Sequence, residues 1–66
     1  MTVTVNGEKR TLPDGATVAA LLSELGLGAL PAAVEVNRRL VPKREHGARP
    51  LQEGDAVEVV TLVGGG

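Results

Sequence analysis

The 66-residue chain contains no cysteine, no phenylalanine, tyrosine or tryptophan, and no isoleucine. Without thiols it can form neither a disulfide nor a thiolate metal site. Without aromatic rings it offers no platform on which nucleic-acid bases could stack. The formal charge is only −1, which argues against a general electrostatic grip on nucleic acid or an anionic membrane. No segment is long and apolar enough to span a bilayer, and the start of the chain lacks the basic-then-apolar layout of a signal peptide, so the expected address is the cytoplasm. Also missing are a Ser/His/Asp set with a supporting signature and a glycine-rich loop opening a helix. Catalytic residues and bound cofactors are therefore not expected.

What remains is an aliphatic core of Val, Leu and Ala in one small domain. A chain this short buries a smaller share of its surface than larger domains do, and sits near the lower edge of independent stability. That material suffices for a small sheet with one helix, but not for a deep enclosed pocket.

Thr2 to Asn6 alternates polar and β-branched apolar residues, with Val3 and Val5 on one face. Asn6-Gly7 follows, a strong hairpin signal because both residues accept positive φ, and Glu8 to Leu12 reads as the returning strand. Pro13-Asp14-Gly15 is a loop. Thr17 suits an N-cap, and Val18, Leu21, Leu22 and Leu25 form the stripe of an amphipathic helix that Gly26 closes. Ala33 to Asn37 predicts a third strand, and Leu40-Val41 its continuation or a short partner beyond a turn at Asn37-Arg38-Arg39. Pro42 to Pro50 is polar and turn-rich, Glu53-Gly54-Asp55 is another turn, and the last strand begins at Ala56. Hairpin, helix and further strands predict a two-layer α+β fold with one helix on one face of a mixed sheet, the crossover placing the next strands alongside the first.

The final strand, Ala56 to Val63, runs directly into Gly64-Gly65-Gly66. With residues 1–63 as the domain and 64–66 as a flexible tail, Gly66 carries a carboxylate on a tether without side chains. Gly64 and Gly65 can pass through a slot too narrow for a Cβ, and nothing on Gly66 shields its carboxylate from a nucleophile or an activating phosphate. If Val57 and Val59 point at the helix, then Glu58, Val60 and Leu62 point to the other face. These three residues form a candidate partner-docking patch at the root of the tail.

Arg38, Arg39, Lys43, Arg44 and Arg49 concentrate positive charge in one stretch, but Glu45 interrupts them and a solvated loop is the favoured reading. Glu53, Asp55 and Glu58 precede the tail and suit either steering toward a basic partner or, for Asp55, stabilisation of its turn. His46, the only histidine, has no second ligand nearby and reads as a surface or packing residue rather than a metal ligand.

The ordered set of Val5-Asn6-Gly7-Glu8, Ala16-Thr17-Val18 with Leu21-Leu22, Val36-Asn37, Leu40-Val41-Pro42-Lys43, and Glu53-Gly54-Asp55 through Val57-Glu58-Val59-Val60 to Val63-Gly64-Gly65-Gly66 resembles the ubiquitin-like sulfur carriers. Within them it is most similar to the thiamine-pathway (ThiS) carriers, over nearly the whole chain. The resemblance implies a ubiquitin-like β-grasp fold of about four to five strands with one main helix. It also implies a co-substrate rather than an enzyme. A ThiF-like adenylating enzyme would use ATP and magnesium to activate the Gly66 carboxylate, and a cysteine desulfurase or other donor would supply sulfur. The resulting thiocarboxylate would serve a ThiG-like thiazole synthase, and the free carrier would be a monomer. Two other readings stay open. One is a related carrier or protein modifier with a different client (molybdopterin, a thiolated tRNA base, cysteine synthesis, protein lysines). The other is a β-grasp interaction module with an inert tail. One departure stands out: where many members have an aromatic residue after the Val-Pro-basic element, this chain has His46.

Overall fold

The computed structural model describes residues 1–62; Val63 and the glycines that follow lie outside the described residues. The elements are β1 (Thr2–Val5), β2 (Glu8–Thr11), α1 (Val18–Glu24), β3 (Ala32–Val36), β4 (Arg39–Val41), a 3₁₀ turn (Lys43–Glu45) and β5 (Ala56–Thr61). They build one five-stranded sheet in the order β2-β1-β5-β3-β4. The pairs β1–β2, β3–β4 and β3–β5 are antiparallel, while β1–β5 is parallel, so the sheet is mixed as expected.

One expectation is corrected by this order. The strand after the helix does not lie alongside the first hairpin; β5 stands between β1 and β3. The physical reason lies in length. Ala56 to Thr61 is the longest strand, and between β1 and β3 it pairs at two positions on one side and five on the other.

Val3, Val5, Val34, Val36, Val41, Val57 and Val59 point to one face and pack with Val18, Leu21 and Leu22 of the helix. Leu12 and Leu51 enter the same core from the loops. β2 is exposed at all four positions, because a helix of seven residues does not extend over the edge strand.

The helix ends account for their backbone groups. Thr17 Oγ1 accepts from Ala20 N at 3.1 Å, the expected N-cap. Val18 N and Ala19 N donate to Arg49 O (3.1 Å) and His46 O (2.8 Å). The turn-rich stretch thus supplies carbonyls to helix donors that have no partner within the helix. At the other end, Gly26 takes φ +77, Gly26 N donates to Ser23 O (3.0 Å) and Leu27 N to Leu22 O (2.8 Å), a Schellman closure.

His46 is a packing residue. Its side chain is buried, and Nε2 lies 3.1 Å from Val41 O. The ring thereby pins the end of the 3₁₀ segment to the end of β4.

Candidate functional site

The site is the root of the C-terminal tail and the sheet face beside it. Two turns position it. Asn6-Gly7 and Asn37-Arg38 both have positive φ at both residues (51 and 87; 52 and 68), the geometry of a tight hairpin turn. Each turn also gives its asparagine carboxamide to β5. Asn37 Oδ1 accepts from Ala56 N (3.0 Å) while its Nδ2 donates to Asp55 Oδ1 (3.0 Å). Asn6 grips further along: Nδ2 donates to Val59 O (3.1 Å) and Oδ1 accepts from Val59 N (2.9 Å). β1 pairs with β5 only as far as Val57, so the Asn6 side chain extends that grip two residues further, to Val59, where the β1 backbone has turned away. On the opposite edge Leu62 N donates to Pro31 O at 2.9 Å. β5 is therefore held on both sides close to where the tail begins.

With Val57 and Val59 buried, Glu58, Val60 and Leu62 are exposed, as alternation requires. Val60 and Leu62 are 59% and 60% exposed, and Leu40 on β4 joins them at 65%. Register completes the face. Ala33 lies opposite Val60, Glu35 opposite Glu58, and Leu40 opposite Glu35. Two residues of this face, Glu35 and Leu40, were not singled out from sequence; the signal that reveals them is cross-strand register, which no one-dimensional pattern contains. Gly64, Gly65 and Gly66, the expected threading and reactive residues, lie outside the described residues.

Two of the three acidic residues near the tail in sequence are engaged elsewhere. Asp55 Oδ2 accepts from Gln52 N (2.9 Å) and Oδ1 from Asn37, which is the turn-stabilising role. Glu53 Oε1 accepts from Thr2 N (2.9 Å). Both sit before the start of β5, and at about 3.3 Å per residue Asp55 is roughly 23 Å from Leu62. Of the three, only Glu58 shares the face beside the tail root.

Among the described residues no group of His, Asp and Glu is arranged to hold a metal ion, and no helix is long and apolar enough to cross a membrane. Two residues of the basic stretch border different surface depressions. Arg49 borders a surface depression with Glu45 and Asp55, while Lys43 borders another beside His46.

A five-stranded mixed sheet carrying one helix, with an open aliphatic face beside the end of its central strand, defines a small ubiquitin-like β-grasp protein. The ThiS family model matches residues 3–66, and the chain belongs to that family. It is 42% identical to the sulfur carrier protein ThiS of Thermus thermophilus over 64 residues, 97% of this chain and 98% of the relative. The crystal structure of thiamine biosynthesis protein ThiS from Geobacter metallireducens superimposes with a TM-score of 0.82 at 33% identity, covering 100% of both chains. The chain is also 41% identical over all 66 residues to a thiazole synthase of Paramagnetospirillum magneticum, of whose length it spans 20%. A thiazole synthase of Magnetococcus marinus matches to the same extent, so the chain spans about a fifth of these longer relatives.

Proposed function

We propose that this protein is a cytoplasmic sulfur carrier of thiamine biosynthesis, a co-substrate whose Gly66 carboxylate is activated and converted to a thiocarboxylate. The observation that carries this reading is the near end-to-end likeness to a sulfur carrier of the same length. The chemistry follows from what a carboxylate requires. Its oxygen is a poor leaving group, and transfer of AMP from ATP by a ThiF-like enzyme makes it a good one. A persulfide sulfur on a cysteine desulfurase then attacks the carbonyl and AMP departs, and a thiol reductant supplies the two electrons that cleave the resulting acyl disulfide to the thiocarboxylate. None of the chain's own side chains is needed as acid, base or metal ligand in these steps; the chain contributes the acyl group and the surface by which enzymes find it.

The client in this proposal is a ThiG-like thiazole synthase. Support comes from the two thiazole synthases that contain a segment 41% identical to this chain. In those proteins the carrier-like segment and the remaining four-fifths are one polypeptide, an arrangement that keeps donor and acceptor together.

Intact-mass spectrometry tests the proposal. After incubation with ATP, magnesium, a ThiF-like enzyme, a cysteine desulfurase with cysteine, and a thiol reductant, the protein gains about 16 Da, one oxygen exchanged for one sulfur. Adding thiazole synthase and its other substrates returns the original mass. An unchanged mass with activating enzymes that work on control carriers leaves the inert-tail interaction module as the better reading.

A further inference from the structure

The asparagine that holds the end of β5 is followed by glycine, and the pair stands in an open turn. Asn6 and Gly7 are both exposed, and Gly7 N donates to no other group among the described residues. A Cβ on Gly7 would meet nothing within 4 Å, so the approach to its nitrogen is unobstructed. Once the Asn6 side chain leaves Val59, that nitrogen can attack Cγ and close a five-membered ring. The attack destroys the carboxamide whose Nδ2 donates to Val59 O and whose Oδ1 accepts from Val59 N. Asn37 is a comparison within the same molecule. It too has positive φ and grips β5, through Ala56 N. Its successor, however, is Arg38, whose Cβ crowds the nitrogen that would attack.

We propose that Asn6 is a self-modification site: it loses its amide nitrogen as ammonia, and the carboxylate left behind releases β5 from the hairpin beside the root of the tail. The step needs only water and base. Gly7 N gives its proton to hydroxide and bonds to Asn6 Cγ; the Cγ–Nδ2 bond breaks, and the nitrogen leaves as ammonia. Water then opens the cyclic imide. Addition at Cγ gives aspartate, and addition at the α-carbonyl carbon gives isoaspartate, whose main chain runs through the former side chain. Nothing is oxidised or reduced. A carboxylate accepts hydrogen bonds and donates none, so the oxygen that replaces Nδ2 meets Val59 O as one acceptor against another, across the 3.1 Å that the hydrogen bond spanned. Isoaspartate also adds a methylene to the main chain and alters the turn. Because both polar atoms of the carboxamide are bonded in the folded protein, the reaction waits for the clamp to open. The loss of ammonia is not reversed, so the modification accumulates with age and marks molecules in which β5 has loosened.

The test ages the purified full chain in warm, mildly alkaline buffer and follows its mass, with peptide mapping to place any change. The expected result is a gain of about 1 Da at Asn6, ammonia exchanged for water, while Asn37 stays intact over the same interval. Arg38→Gly gives the second turn the same open nitrogen, and Asn37 then converts as well. No gain at Asn6, equal conversion of Asn37 in the wild type, or an intact Asn37 in Arg38→Gly overturns the proposal. The consequence is read by hydrogen exchange on Asn6→Asp, which carries the product from the start. Its Val59 amide exchanges on the order of tenfold faster than in the wild type, while the Val34 and Val36 amides keep their rates. Val59 protection equal to the wild type, or a loss spread over the whole sheet, also overturns it.

Discussion

The two faces of the sheet are built from the same strands and differ in almost everything else. On the helix side, Val3, Val34, Val36, Val41 and Val57 are each at most 2% exposed. On the open side, β3 and β5 present Ala33, Glu35, Glu58 and Val60, with Leu40 and Leu62 at the margins. The buried part of the first face is all valine because packing density tolerates little else. The second is mixed: among the described residues four large aliphatics are left exposed, three of them on this side, and two like charges lie side by side. Stability explains the first face completely and the second not at all. The difference shows which residues fold the domain and which are available to a partner.

The inner face is the easier to break. Leu21 is fully buried at the centre of the helix stripe, and Leu21→Ala removes its branched end from a core with no aromatic ring to collapse into the gap. The expected loss is about 2–5 kcal/mol. Against the roughly 5–15 kcal/mol total of ordinary domains, that is a large fraction in a chain so short. Chemical denaturation followed by circular dichroism measures it. A loss under about 1 kcal/mol would mean that the stripe does not anchor the helix as described.

Which face a residue of β5 joins depends on register, since a slip of one residue exchanges the two sets. Asn6 fixes that register beyond the end of β1 through its paired bonds to Val59. Asn6→Gly keeps the positive-φ freedom of the turn while removing both bonds, so it isolates the clamp from backbone strain. We expect a cost of about 1–3 kcal/mol. Hydrogen exchange should locate the change, with the Val59 amide losing protection while Val34 and Val36 keep theirs. Uniform loss across the sheet would show that the clamp acts on the whole fold instead of the end of β5.

These two elements also show what a sequence does and does not disclose. The helix was legible to the residue, because the Thr17 cap, the stripe and Gly26 are local signals with local causes. The Asn6-Gly7 hairpin was legible for the same reason. The clamp was not, since Asn6 and Val59 are 53 residues apart and turn chemistry alone accounts for an asparagine there. The central place of β5 was missed because crossover rules constrain handedness more than strand order. Burial of His46 was left between surface and core for a related reason: its neighbours in sequence are polar, and its apolar neighbours come from other elements. At the candidate site, alternation placed Glu58, Val60 and Leu62 on the open face, but pairing across strands was needed to bring in Glu35 and Leu40.

The smallest effect on folding is expected where the effect on partners is large. Val60 and Leu62 bury little of their surface, so Val60→Thr/Leu62→Gln should change stability by no more than about 0.5 kcal/mol. Threonine retains the β-branch that suits the strand, and Leu62 lies beyond the last residue of β5. The same double variant removes the apolar part of the candidate docking patch while leaving Glu35 and Glu58 in place. Its KM should therefore rise on the order of tenfold, in adenylation or in delivery to thiazole synthase according to which partner the patch meets. The salt dependence stays that of the wild type, because the charges that screen with salt are untouched. A variant with both KM values unchanged would show that the aliphatics of the open face are ordinary surface residues. The contrast between the two faces would then rest on the helix side alone.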